Sequence, residues 1–389
     1  MINLLFVHQS ADLYGSDKML LSLVKGIDKQ RFHAIVLLPV EGELLTALHN
    51  AGIEAHVVPL LRLGRASMSV SGLLNLFLGV VPSLRAMNRV LQGRKVSIVH
   101  SNTLAVLSGA LWARWRGLPH VWHVHEMVEQ PRIARHLFPW LLRLFADAVA
   151  CNSYATRRWL LDVQPDMVQR SKTIWNGVDR TVPLDLEAAQ DLRHRLNLAP
   201  DTVLLLLMGR INRGKGHQLM VQAAERLQQM GVTQVHYLIA GSAPPGQEHL
   251  LTELQQRITA SAIADKITVI NFQQNIWSIW DAADIALVPS TLPEAFGMVA
   301  VEAMLANKPV IASAQGGLLD IVEDGVTGLL CPVNDVDAWA AAMHSLVCNM
   351  SQRKQMGQAG QVRALRHFAL REYVNKFEQL YWDISEQNT

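Results

Sequence analysis

Residues 284–313 constrain the fold of this chain more than any other stretch. An apolar run over 284–290 leads into Pro293-Glu294-Ala295-Phe296-Gly297-Met298-Val299-Ala300-Val301-Glu302, and a second apolar run follows over 308–313. The flanking runs are short, as buried strands are, and the segment between them opens with proline and glycine before turning helical. A strand–loop–helix–strand unit of this length belongs to a parallel sheet, because parallel neighbours need a crossover. Two glutamates stand around the glycine. Pro293 and Gly297 place Glu294 in the loop and Glu302 one turn into the helix, so both can face a ligand at the helix N-terminus from different heights. That is where α/β proteins bind ligands, outside the carboxyl ends of the strands. Carboxylates accept paired hydroxyls, which makes sugars and riboses natural partners. The amides of Phe296, Gly297, Met298 and Val299 suit a phosphate. A glycosidase also uses two carboxylates, but these flank a scissile bond rather than a helix end.

The same alternation runs along the whole chain. Strand-like runs fall at 4–7, 34–38, 55–58, 98–100, 120–125 and 148–151, with helical patterns over 18–27, 71–91 and 104–115. A break at Asn176-Gly177-Val178-Asp179 and a polar stretch over 180–185 follow. Strands restart at 203–208, 234–240, 267–270, 285–288, 310–312 and 328–330, with helices over 218–229, 248–260, 277–283, 298–306 and 337–349. The expected fold class is α/β, with two Rossmann-like parallel-sheet domains, 1–183 and 184–368, facing a cleft. Tyr373, Phe377, Leu380, Tyr381 and Ile384 share one helical stripe, so 369–389 is expected to be a helix that docks on a neighbouring domain.

Composition narrows the class. The chain has 389 residues, half of them hydrophobic, enough for two cores. No apolar run reaches the roughly 18–20 residues of a transmembrane helix. Residues 1–8 lack the basic start of a signal peptide and read as a first buried strand. Cys151, Cys331 and Cys348 are too few and too scattered for a disulfide framework or a zinc site, which suits a reducing cytoplasm. The net charge of +2 hides an asymmetry: residues 1–185 hold 20 Lys/Arg against 13 Asp/Glu, and residues 186–389 hold 15 against 20. An anionic partner for the first half fits this, either a membrane surface or a phosphorylated substrate. Arginines interleave with large apolar groups over 132–145 and 111–116. This pattern suits peripheral contact with an anionic membrane or a lipid-linked substrate, and equally suits core helices edged by arginine. No long basic stripe points to nucleic acid.

A second motif, Gly209-Arg210-Ile211-Asn212-Arg213-Gly214-Lys215-Gly216, follows a strand and precedes a helix. Its glycines permit tight turns, and Arg210 and Lys215 supply a guanidinium fork and a point charge, a phosphate cradle in outline. It matches an ATP-binding loop except at Gly216, where the hydroxyl that would hold magnesium is absent. Gly241 and Gly15 mark further strand-to-helix turns where backbone could approach a diphosphate. In the first half, His123 and His125 share one face of a strand. His125 lies nearer the carboxyl end, and Glu126 is placed to orient it and raise its pKa. With no third ligand in sight no metal is expected, and a catalytic or substrate-contacting role is favoured over a structural histidine pair.

Taken together, these residues resemble the retaining GT-B glycosyltransferases of glycosyltransferase family 4. The resemblance covers nearly the whole chain and is strongest over 203–332. It rests on Gly209-Arg210 with Lys215-Gly216, the Glu294/Glu302 pair, Gly316-Gly317 before Asp320-Ile321-Val322, and Asp324-Gly325 with Thr327-Gly328. Gly15-Ser16-Asp17, His125-Glu126, Asn152-Ser153 and Asn176-Gly177 add landmarks in the first half. Tyr14 and Asn307 stand where the family commonly has glycine. The resemblance implies a nucleotide-diphosphate sugar donor held by the second domain, a glycan or lipid-linked acceptor held by the first, and no cofactor. By analogy Arg210 and Lys215 neutralise the diphosphate and Glu302 holds the ribose. Glu294 holds the transferred sugar, and His125 contacts it. Gly15, Gly209, Gly241 and the Phe296, Gly297, Met298 and Val299 backbone approach the donor. The base is expected to be selected by backbone near 271–274, and the C-terminal helix to cross back onto the first domain. A nucleotide-sugar-binding regulator and a GT-B epimerase or phosphorylase stay open as alternatives.

Overall fold

The apolar runs pair side by side as parallel strands. The computed structural model describes residues 1–64, 69–273 and 275–387, so Gln274 of the stretch expected to select the base lies outside the described residues. The chain forms two units. One comprises Met1–Gly177 with the C-terminal helix Leu370–Gln387, and the other comprises Val178–Ala369.

The first unit holds β1 (Ile2–Val7), β2 (Phe32–Leu38), β3 (Glu54–Val57), β4 (Ile98–Ser101), β5 (His120–Val124), β6 (Ala148–Cys151) and β7 (Ser171–Thr173), in the order β3-β2-β1-β4-β5-β6-β7. All pairs are parallel, with Leu5 set between Ile35 and Val99. Strand β1 is apolar almost throughout because helices cover both faces of the sheet. The strand order reverses between β1 and β4, which opens a crevice beyond their carboxyl ends.

The C-terminal helix belongs to this unit because its stripe has somewhere to go. Tyr373, Val374, Phe377, Leu380, Tyr381 and Ile384 are all buried. The Tyr373 hydroxyl donates to the Met19 carbonyl (3.4 Å), and the Tyr381 hydroxyl bonds His100 Nδ1 (2.8 Å). Burying one such side chain contributes roughly 1.5–3 kcal/mol.

The second unit holds β8 (Val203–Met208), β9 (Val235–Ala240), β10 (Ile267–Ile270), β11 (Ile285–Val288), β12 (Val310–Ser313) and β13 (Gly328–Cys331), in the order β10-β9-β8-β11-β12-β13. It too is parallel throughout, and its order reverses between β8 and β11. The polar stretch after Gly177 is part of this unit. Val178 N donates to the Phe368 carbonyl (2.8 Å), and Arg180 pairs with Asp281 (2.6 Å).

Beyond the expected elements the chain forms β7 and the helices Glu43–Asn50, Tyr154–Val163, Leu186–Arg195 and Met350–His367. Among the described residues no helix is long and apolar enough to cross a membrane.

Candidate active site

At the switch point of the second sheet, three strand-end loops meet. The loop after β8 begins with Gly209 (φ 147°) and the exposed Arg210. Asn212 Oδ1 then accepts from the amides of Gly214 (3.0 Å) and Lys215 (3.1 Å), folding the turn back on itself. The loop after β11 is tied to this turn. Thr291 N donates to the Gly214 carbonyl (2.8 Å) and Thr291 Oγ1 to that of Arg213 (3.0 Å). The loop after β12 completes the set, with Gly317 N donating to the Glu294 carbonyl (2.7 Å) and Gln315 Nε2 to that of Ser290 (2.7 Å).

These ties place Lys215 and Glu294 in contact. Lys215 Nζ donates to Glu294 Oε1 at 2.6 Å, and Ser290 Oγ donates to the same oxygen at 2.5 Å. Both charged side chains are half-buried, so their attraction is screened less than that of a surface pair. With Met208, Ser290, Gly297, Met298 and Val299 they line a cavity of about 20 Å³, space for about one water. Gly216 cannot be replaced without moving this arrangement: its φ is 72°, and a Cβ there would lie 1.7 Å from the Pro289 carbonyl oxygen. Gly241, after β9, is equally crowded, since a Cβ would fall 1.8 Å from the Gly209 carbonyl oxygen. Phe296 is buried against Phe368, and Gly297 caps the helix Met298–Leu305. The Ala300 amide bonds the Gly297 carbonyl (3.0 Å), while the amides of Met298 and Val299 precede the first helical bond. Glu302 sits in its second turn, half-buried.

The switch point of the first sheet is built differently. His8, just past β1, bonds Asp17 Oδ1 through Nε2 (2.6 Å) and receives Asn102 Nδ2 at Nδ1 (3.1 Å). Ser10 Oγ and Tyr14 N also donate to Asp17 (2.5 and 3.0 Å). Burial alone would raise the Asp17 carboxyl, but the bonds from His8, Ser10 and Tyr14 outweigh it and hold the group below its ordinary range. Gly15 opens the helix Gly15–Gly26, and a Cβ there would meet nothing within 4 Å. Open space, not backbone strain, is what this position offers.

His125 stands at the carboxyl end of β5, its ring tilted 40° against His123 with centroids 3.8 Å apart. The expected partnership with Glu126 does not form. The Glu126 carboxylate turns away and accepts from Leu104 N (3.2 Å), and burial pushes its pKa up to about 7. Burial and then the nearby His8 lower His125 to about 3, the opposite of the expected rise. At neutral pH His125 is therefore an uncharged imidazole. His100 and His123 beneath it are also driven well down by burial. Among the described residues no group of three or more His, Cys, Asp or Glu could hold a metal ion.

Two family models divide the chain between them. "Glycosyltransferase Family 4" matches residues 15–182 and "Glycosyl transferases group 1" matches 189–363. The chain belongs to the family 4 glycosyltransferases. Its relatives include the D-inositol 3-phosphate glycosyltransferase of Xylanimonas cellulosilytica, 34% identical over 61% of this chain and 57% of that protein. Another is the alpha-maltose-1-phosphate synthase of Mycolicibacterium smegmatis, 29% identical over 77% of this chain and 82% of that one. The chain spans about half the length of the D-inositol 3-phosphate glycosyltransferases it matches. Among solved structures, Anabaena HepE in complex with UDP matches with a TM-score of 0.83 at 23% identity, covering 98% of this chain and 100% of that one. This likeness speaks for the GT-B fold.

Sequence reasoning missed the supports of the site. Gln315 and Thr291 each act through a bond to a distant loop, which no local pattern announces, whereas Asn212 and Ser290 bond only two to four positions on. His8 and Asn102 were hidden as polar residues at strand ends. Asp17 alone carried a local signal, three residues after the cap Tyr14, where a carboxylate can reach back to the cap amide.

Proposed function

We propose that the protein is a retaining glycosyltransferase. It moves a sugar from a nucleotide-diphosphate sugar to a glycan or lipid-linked acceptor, in surface-polysaccharide or other glycoconjugate biosynthesis. The observation that carries this reading is the Lys215–Glu294 contact at the switch point of the second sheet. It sets a cation for a leaving phosphate beside a carboxylate for sugar hydroxyls. Relatives named for glycosyl transfer to inositol phosphate and for maltose 1-phosphate synthesis support it. So does the HepE match, determined with UDP, with UDP and glucose, and with UDP-glucose.

In this reading Arg210 and Lys215 neutralise the charge that develops on the diphosphate as the glycosidic bond breaks, so the reaction is metal-independent. Gly209 and Gly241 let backbone come close, and the amides at Phe296, Gly297, Met298 and Val299 add donors to the phosphate. Glu302 takes the ribose hydroxyls and Glu294 the hydroxyls of the transferred sugar, sharing Lys215 with the donor. Gly15 serves the donor and His125 the sugar. As a neutral imidazole, His125 acts by hydrogen bonding and not by charge. The donor phosphate accepts the proton of the attacking hydroxyl, which keeps the anomeric configuration.

The test is a thermal-shift screen against nucleotide sugars, followed by release of nucleoside diphosphate from the donor that binds. Binding with turnover, lost in Lys215→Ala and Glu294→Ala at unchanged melting temperature, is the expected result. Binding without release from any donor–acceptor pair, or full turnover in both variants, would overturn it.

A further inference from the structure

We propose that three neighbouring helices of the first unit, Val70–Val90, Ser108–Arg116 and Arg132–Phe145, form a face that docks on an anionic lipid bilayer. The inference gives the lipid-linked acceptor of the reading above a surface to come from, but it stands on the face alone.

The helices lie side by side, the middle one packed against both others. Their inner sides are spent on the core, through Met87, Trp112, Ala113, Ala134 and Leu142. A helix whose inner stripe is satisfied ordinarily turns polar residues outward. These do not. Leu74 (57% exposed), Phe77 (76%), Leu78 (61%) and Val81 (51%) are spaced to share the outer side of the first helix. Trp115 projects from the second, and Ile133, Trp140 and Leu144 from the third, all exposed. The reading of 132–145 as a core helix edged by arginine holds for its inner side, but Ile133, Trp140 and Leu144 face outward as well. Large apolar groups grouped on one face of a soluble domain mark an interaction site.

The charge around these residues selects the partner. Between Glu54 and Glu126 the sequence has eight Lys/Arg and no Asp or Glu, and residues 132–145 add three arginines and no acid. Arg85 and Arg89 are exposed and lie on the same side of their helix as Leu74 and Leu78, about two to four turns further on. Arg114, Arg116 and Arg132 are exposed as well, whereas Arg135 and Arg143 are engaged by Glu129 and Asp166. Apolar side chains flanked by arginine, with Trp among them, match a phosphate-lined interface over hydrocarbon. With no helix long and apolar enough to cross a membrane among the described residues, the contact proposed is peripheral.

The test is cosedimentation of the whole protein with vesicles of phosphatidylcholine alone or mixed with phosphatidylglycerol, without any sugar donor. Binding is expected to the anionic vesicles, not the neutral ones, and to weaken with salt. Arg85→Gln and Arg89→Gln should each weaken it about fivefold. Phe77→Ser with Trp140→Ser should reduce it further, with melting temperatures unchanged. No binding at low salt, or equal binding by all variants, would overturn the proposal. So would a dimer of the free protein that Phe77→Ser dissolves, because the face would then belong to a second copy. Nucleoside diphosphate release is measured separately, so failure of the transferase reading leaves a distinct signature: vesicle binding without turnover.

Discussion

The two sheets reverse their strand order in the same way but furnish the ends of their strands with opposite chemistry. The second sheet ends in charge: Lys215 bonded to Glu294, half-buried and reachable, on loops that tie to each other through backbone. The first ends in buried histidines. His100 and His123 lie under the C-terminal helix and His125 is tilted against His123, near the buried Asp17 carboxylate, while His120 at the amino end of β5 bonds Ser101 and the Phe145 carbonyl. An ion pair that must exchange partners with a ligand needs access and fixed loops. A buried imidazole needs neither, but burial holds it in its neutral form. One topology can thus support a polar ligand end and a neutral, packed one, and the residues past each strand decide which.

The sharpest way to break this contrast is at the charged end. Lys215→Ala and Glu294→Gln should each cost roughly a hundred- to a thousandfold in turnover, the range for losing one group aimed at developing charge. Neither should shift the melting temperature much, because both side chains are half-exposed. Equal losses in kcat and kcat/KM would place their role in the transition state, while a change in KM alone would reduce them to binding groups.

Acid pH should act next most strongly, and on the first unit. His120 is lowered to about 4 and His125 to about 3 by burial, with His100 and His123 driven down too. The unfolded chain therefore binds more protons below the ordinary histidine value, and stability falls as pH drops from about 6.5 toward 4. Glu126, raised to about 7, has the opposite sign: it favours the fold below the ordinary carboxyl value and loses that contribution as pH rises through about 7. Four histidines against one glutamate leave a net loss on acidification. The second unit has His217, lowered to about 4, and His236, also lowered. Hydrogen exchange followed between pH 7 and about 5 should show β4 and β5 losing protection before β8 and β11. Equal loss in both units would erase the contrast.

Long apolar strands and glycine-rich strand ends were legible because each is written in consecutive residues. That is why β8, β11, the Lys215 turn and the Glu294 loop could all be placed beforehand. The helix Leu186–Arg195 was not, since it buries only Ala189 and Leu192 and shows no stripe. The helix Met350–His367 hid for another reason. Its buried face is Met356, Gly357, Gly360 and Ala364, small because a Cβ on Gly357 would fall 2.3 Å from the Asn307 carbonyl oxygen. Close approach removes the large side chains by which periodicity is recognised. The helix over 71–91 was recognised, but periodicity does not say that its apolar residues occupy two sides. The bond between Lys215 and Glu294 spans 79 positions, and the turning of Glu126 to Leu104 spans 22. Such pairings follow from the topology and not from spacing along the chain.

A last pair of variants probes what keeps the buried imidazoles neutral, the second with the smallest effect. Phe377 lies over His123, ring centroids 4.8 Å apart, and Phe377→Ala should cost about 3–5 kcal/mol by emptying the space between helix and sheet. Tyr381→Phe keeps the volume and removes one bond. His100 Nδ1 then loses its contact with the Tyr381 hydroxyl, while Nε2 already has no partner. The expected cost is about 1 kcal/mol, read as a lower melting temperature. It should also be accompanied by faster exchange in Leu370–Gln387 and not in β11 or β12. If Tyr381→Phe were neutral while Phe377→Ala cost its full amount, packing alone would hold the C-terminal helix. The histidines beneath it would then be tolerated by that helix and not bonded to it, so the acid response of the first unit would arise from burial alone.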